Sequence, residues 1–227
     1  INIFNEKNKF IEPIAASKPA PGKLLTSQAK KINCTHAMHF SSFHKYVRTD
    51  SLWANKYTTP ENDLKRGWDK HIGYFEQFSS LSITENGFIK IPSIYPEIND
   101  ISIESPEKNG DFWEHELTVK EENIVKNYLN LIKKISNKNL SIKVGSKIIN
   151  PSFSIKESKI ATSLILHTPK QSLLRSIKSN IFDDLLIGNF AKLIIQSNQK
   201  INFRNILKVP SKYIDNIGIS DAKELKN

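Results

Sequence analysis

An α/β to α+β fold follows from three observations in this 227-residue sequence. A helix start is written at "TVKE". An Asn-Gly pair joins two alternating runs in "FSSLSITENGFIKIP". Strand-sized apolar runs, "SLILH" and "AKLII", stand among helical stretches. Strands, helices and hairpins in mixed order describe an α+β region, and the first third reads as the end of an α/β unit. The expected organisation is residues 1–78 as that α/β end and residues 79–227 as an α+β C-terminal region.

Taken in order, residues 1 to 22 hold Pro13, Pro19 and Pro21 and read as an extended, looping lead-in. "KLLTSQAKK" from Lys23 is a short helix with Leu24, Leu25 and Ala29 near one face. "INCTHAMHF" alternates and reads as a strand. Thr59 and Pro60 form a cap and first helical residue, with Glu61 and Asp63 in the first turn and Gly67 as the stop. Asn86-Gly87 predicts a type I′ turn. Residues 92 to 112, with Pro92, Pro96, Pro106 and Gly110, connect. Thr118 and Glu121 make a capping box, after which Ile124, Tyr128, Leu131 and Ile135 repeat at helical spacing. "LSIKVGSKII" and "FSIKESKIATSLILHT" give two or three strands. Pro169 opens a helix, "IFDDLLIGN" is a short helix or turn, "FAKLIIQS" is a strand, and the tail from Ile201 frays.

Composition narrows function less than fold. The net charge is +10 and the pI about 9.5, which suits an anionic partner. Lysine is spread along the chain, and no zinc-finger or RNP signature is present, so nucleic acid is not the expected partner. No run approaches the ~20 apolar residues of a membrane span. With Cys34 the single cysteine, a disulfide framework is excluded and a cytoplasmic setting is expected. There is no P-loop, GxGxxG, GxSxG, HExxH or CxxC.

Three of the six histidines, His36, His39 and His44, fall within "THAMHFSSFHKY". A tetrahedral zinc site needs three or four N, O or S ligands. On a strand His36 and His39 point to opposite faces, so this stretch offers one ligand at a strand end rather than three. The plain alternative is that these are ordinary hydrogen-bonded histidines. Trp53, Tyr57, Trp68, Tyr74 and Phe75 read first as packing residues and second as a pocket lining.

"AKKINCTHAMHFSSFHKYVRTDSLWANKYTTPENDLKRGW" resembles the late segment of metallo-β-lactamase-fold hydrolases. The branch it resembles includes ascorbate-lactone hydrolase-like proteins and CMP-N-acetylneuraminate hydroxylase. A strand there ends in a proline-apolar-histidine-aromatic step, which here reads Ala37-Met38-His39-Phe40. "FDDLLIGNFAKLII" also looks like the C-terminal region of the hydroxylase-like members. The resemblance implies the C-terminal part of an αββα sandwich, followed by the α+β region. It also implies a zinc-dependent hydrolase acting on a small anionic substrate. His39 would be the metal ligand. Asp50 and His44 would stand beside the metal as catalytic groups, and Arg48 and Trp53 would bind substrate. A zinc-bound water ionises near pH ~7. The family's HxHxDH motif is missing from this chain, which begins Ile1 without methionine. The resemblance therefore implies a C-terminal piece or a subunit, with most ligands supplied by a missing N-terminal segment or partner subunit. For Arg48 and Asp50 a plain loop salt bridge is the competing expectation. For the whole chain the alternative is a non-enzymatic basic α+β module that binds a protein partner or an anionic ligand.

Overall fold

The computed structural model describes residues 2–11, 20–40, 45–60, 63–91, 102–136, 140–152, 163–188, 190–196 and 214–215. It is a mixed α+β structure whose largest sheet has five strands. The chain forms two compact units. One gathers Ile1–Pro13, Arg48–Ser51 and Glu104–Asn227; the other gathers Ile14–Val47 and Leu52–Ile103.

The first unit is built on β1 (Asn2–Asn5), β6 (Leu140–Val144), β7 (Lys147–Ile149), β8 (Ser163–His167) and β9 (Lys192–Gln196), in the order β1-β9-β8-β6-β7. β6 runs parallel to β8 and β1 parallel to β9; β8 runs antiparallel to β9, and β6 to β7. Helices α2 (Val119–Ser136), α3 (Lys170–Lys178) and α4 (Asp184–Ile187) complete it. Side chains alternate across a sheet, and one face carries Ile3, Leu140, Ile142, Val144, Ile149, Leu164, Leu166 and Leu193. These cluster with Val125, Leu129 and Ile132 of α2, Leu173 of α3 and Leu185 of α4. The lead-in expected at the N-terminus is therefore a strand from its second residue. Backbone pairing with β9, nearly two hundred residues away in sequence, decides this, and no local pattern reports it.

The capping box forms as expected. The amide of Thr118 donates to Glu121 Oε2 at 2.7 Å, and the amide of Glu121 donates to Thr118 Oγ1 at 3.4 Å. The buried face of α2 is offset from expectation. Val125, Tyr128, Leu129 and Ile132 are buried, whereas Ile124 is 43% exposed. Both sets have helical period, and the sheet's position selects between them.

The second unit holds α1 (Pro21–Lys31), the parallel pair β2 (His36–Met38) and β3 (Gly73–Phe75), a 3-10 turn at Leu52–Tyr57, and the hairpin β4 (Ser80–Thr84) with β5 (Gly87–Ile91). The strand expected over 32–40 is only three residues long. The end of α1 consumes what precedes it: Asn33 takes φ 56, its amide bonds Lys30 O, and the Cys34 amide bonds Ala29 O. That is a Schellman ending with asparagine in the left-handed position. The hairpin forms, but not with a type I′ turn. Thr84 pairs with Gly87, so Glu85 and Asn86 are the loop residues. Neither has positive φ; Gly87 alone carries it, at 122. Of the helix expected from Thr59, residues 61–62 lie outside the described residues, and Asp63–Gly67 is a set of turns. The tail from Ile201 lies outside them apart from Ile214 and Asp215.

Candidate functional site

The residues expected to surround one metal divide between the two units. His39 and Trp53 belong to the second unit, Arg48 and Asp50 to the first. His44 lies outside the described residues. His39 follows directly on the last residue of β2, and its Nε2–H donates to the carbonyl of Leu64 at 3.0 Å. A carbonyl only accepts, so that nitrogen carries the proton. His36 packs instead: its ring stacks on Phe75 at 4.9 Å and meets Phe88 edge-on at 4.8 Å. Gly73 makes room for it, since a Cβ there would lie 2.2 Å from His36 Cδ2. Trp53 contacts Tyr57 edge-to-face at 5.9 Å, and Trp68 contacts Tyr74 at 4.7 Å, the packing role expected first. Among the described residues no three His, Cys, Asp or Glu side chains gather as a metal site would.

Arg48 and Asp50 do meet, in the first unit. Arg48 donates from Nε and Nη2 to both oxygens of Asp50 (3.1 and 2.7 Å) and from Nη1 to Asp111 Oδ2 (2.6 Å). Arg48 is 8% exposed and Asp111 2%. Burial works against the guanidinium charge, and the two carboxylates more than offset it, holding its pKa above the ordinary value. Asp111 also accepts from the amide and hydroxyl of Ser172 at 3.0 and 2.5 Å. It thereby caps the start of α3 from outside the helix. Asp50 Oδ2 accepts the indole N–H of Trp113 at 3.1 Å. The loop salt bridge is thus the lower layer of a scaffold whose upper member is Trp113.

Trp113 lies over the sheet face opposite the helices. His167 ends β8, and its register partners are Lys143 on β6 and Lys192 on β9. Paired residues on adjacent strands point the same way, so Lys143, His167 and Lys192 form one row across three strands. The row continues to Asn2 on β1 and Ile148 on β7. The His167 ring meets Trp113 edge-to-face at 5.0 Å, and Lys192 Nζ lies 4.7 Å from the centre of the Trp113 ring. His167 Nε2 is buried with no hydrogen-bond partner among the described residues. Burial first, then the charges of Lys143 and Lys192, push the His167 pKa down to about 4. Its imidazole is neutral at physiological pH. Among the described residues neither Lys143 nor Lys192 has a carboxylate within ion-pair distance, although seven other lysines and arginines do: Lys30, Arg48, Arg66, Lys90, Lys108, Lys147 and Lys170.

No family model, curated protein or solved structure matches this chain. The row and its tryptophan therefore stand on geometry. Arg48 and Asp50, expected as substrate-binding and catalytic groups or else as a plain salt bridge, form the salt bridge; Lys143, His167, Lys192 and Trp113 carry no expected role in the sequence. The available signal was a polar residue in each of three apolar strands, "LSIKV", "SLILH" and "KLIIQ". Their alignment depends on a register no single strand records.

Proposed function

We propose that this chain is a basic α+β binding module that takes a small anionic ligand at the Lys143–His167–Lys192 row beneath Trp113. The observation that carries the reading is the row itself: two lysines without carboxylate partners among the described residues flank a buried imidazole nitrogen that also lacks one. Strands lie ~4.8 Å apart, so the two lysine Cα atoms stand about 10 Å apart. Flexible four-carbon stems bring both ammonium groups onto one anion held between them. Buried polar atoms are ordinarily paired, and an oxyanion gives His167 Nε2 the partner it lacks. The test is a sulfate titration followed by tryptophan fluorescence. Lys143→Met and Lys192→Met are each expected to weaken binding on the order of tenfold, the value of one charge-assisted hydrogen bond. Lys178→Met, at an exposed position of α3, leaves it unchanged. Equal binding by all three variants removes the reading.

A second reading retains the zinc-dependent hydrolase, with its αββα sandwich and a ligand-bearing segment or partner subunit outside this chain. One observation favours it. Ligating histidines are commonly anchored through their other ring nitrogen, and the His39 Nε2–H···O=C Leu64 bond presents Nδ1 to a metal. Zinc titration of the wild type and of His39→Ala decides. Loss of one bound zinc in the variant supports this reading, and equal uptake discards it.

A further inference from the structure

Resting on the anion-binding reading, we propose that the row receives a phosphoryl or sulfuryl oxyanion of a small molecule together with a proton, His167 taking that proton from solvent as the anion binds. The geometry places the imidazole at the centre of the row, between two cations and under an indole. Lys143 faces it from β6, Lys192 from β9, and Trp113 from the loop that follows Asp111. Behind Trp113 stand Asp50, which holds the indole N–H, and Arg48 and Asp111, which are paired with each other. Those carboxylates are engaged, so they do not neutralise the row. Without an anion the imidazolium would sit against two positive charges, and the ring stays neutral. A dianion between the lysines reverses the sign of the local field. An opposite charge within about 4–6 Å raises a histidine pKa by about 1–3 units.

His167 Nε2 is buried, and among the groups that face it Lys192, its register partner, is the flexible one whose movement would open access to it. Its ammonium rests on the Trp113 ring. An ion–ion hydrogen bond outweighs that cation–π contact, so Lys192 swings to the anion and uncovers the ring. Trp113 stays, held by Asp50. A phosphoryl or sulfuryl group suits this arrangement because it presents several acceptor oxygens. One can be given to each lysine and a third to the His167 N–H. A carboxylate has only two. Proton and charge balance as follows: one proton moves from bulk water to the imidazole, no covalent bond to the ligand changes, and the ligand leaves as it entered.

The test is calorimetric titration of the full chain with inorganic sulfate, which remains a dianion between about pH 5 and pH 8. Two buffers of different ionisation enthalpy at the same pH report the protons taken up. The free ring, at about 4, is ~1% protonated at pH 6. A rise of about 2 units on binding makes it half protonated. The expected uptake is ~0.5 proton per sulfate, with binding about tenfold tighter at pH 5 than at pH 8. His167→Gln is expected to bind sulfate with no proton uptake and no pH dependence. The wild-type buffer comparison decides the matter even if that variant does not fold. Sulfate binding that needs Lys192 but moves no proton overturns the proton coupling and leaves the binding module standing. Absence of sulfate binding by the folded chain overturns both. Binding of an oligonucleotide with a steep salt dependence, and none of sulfate, overturns the ligand class.

Discussion

Asp111 is the residue on which the scaffold beneath Trp113 depends, and Asp111→Ala measures that dependence. The substitution removes acceptors from Arg48 Nη1, from the Ser172 amide and from the Ser172 hydroxyl. Loss of the cap on α3 costs about 1 kcal/mol. Loss of a buried charged hydrogen bond costs about 1.5–3 kcal/mol. The sum is about 2.5–4 kcal/mol. That lies toward the lower end of the range for breaking a buried ion pair, because Asp50 still compensates Arg48. Urea denaturation followed by circular dichroism reads the free energy, and hydrogen exchange reads the Ser172 amide, which should lose its protection. Asp111→Asn retains acceptor oxygen and is expected to cost less than half as much. An Asp111→Ala chain within about 0.5 kcal/mol of wild type, the range of an ordinary surface change, would refute the assignment of Asp111 as a structural keystone.

Two further outcomes follow from the core and from His167. The ordinary histidine pKa is 6.5 and the folded value about 4, so the unfolded chain binds a proton that the folded chain refuses. The stability from this residue is complete above about pH 6.5 and is lost as pH falls toward 4. After allowing for partial exposure the loss is about 2 kcal/mol. Urea midpoints across that range should fall in the wild type and fall less in His167→Gln; parallel curves would contradict the half-buried, neutral ring. Leu166 is 0% exposed in the core cluster, and Leu166→Ala is expected to cost about 2–5 kcal/mol. A cost below 1 kcal/mol in the same assay would show that β8 is not a central strand.

Local codes were legible in the sequence. The Thr118–Glu121 capping box, the Pro169 helix start, the hairpin and the strand runs at β6, β7 and β9 each depend on a few neighbouring residues. Features decided at long range were not. The N-terminal residues predict only an extended or looping lead-in, because β1 owes its place in the sheet to pairing with β9 far along the chain. The face of α2 moved from Ile124 to Val125 because the sheet, not the period, chooses the face. The alternation over 32–40 predicts a longer strand than the one that forms, because Asn33 takes the left-handed position that ends α1. The site follows the same division. Arg48 and Asp50 lie two residues apart, so their salt bridge is legible locally, whereas Lys143, His167 and Lys192 come from three strands and meet only through register. Trp113 lies just past the connecting stretch 92–112, where the sequence predicts no role, and its significance comes from Asp50, 63 residues away.

The most direct measurement is anomalous diffraction from crystals soaked in selenate, an isostere of sulfate whose heavy atom marks its own position. The account predicts a selenium peak over the sheet face opposite α2, between the ammonium groups of Lys143 and Lys192 and within hydrogen-bond reach of His167, with Lys192 drawn off the Trp113 ring. Selenate bound elsewhere on this basic surface, with Lys192 still resting on Trp113, would contradict it.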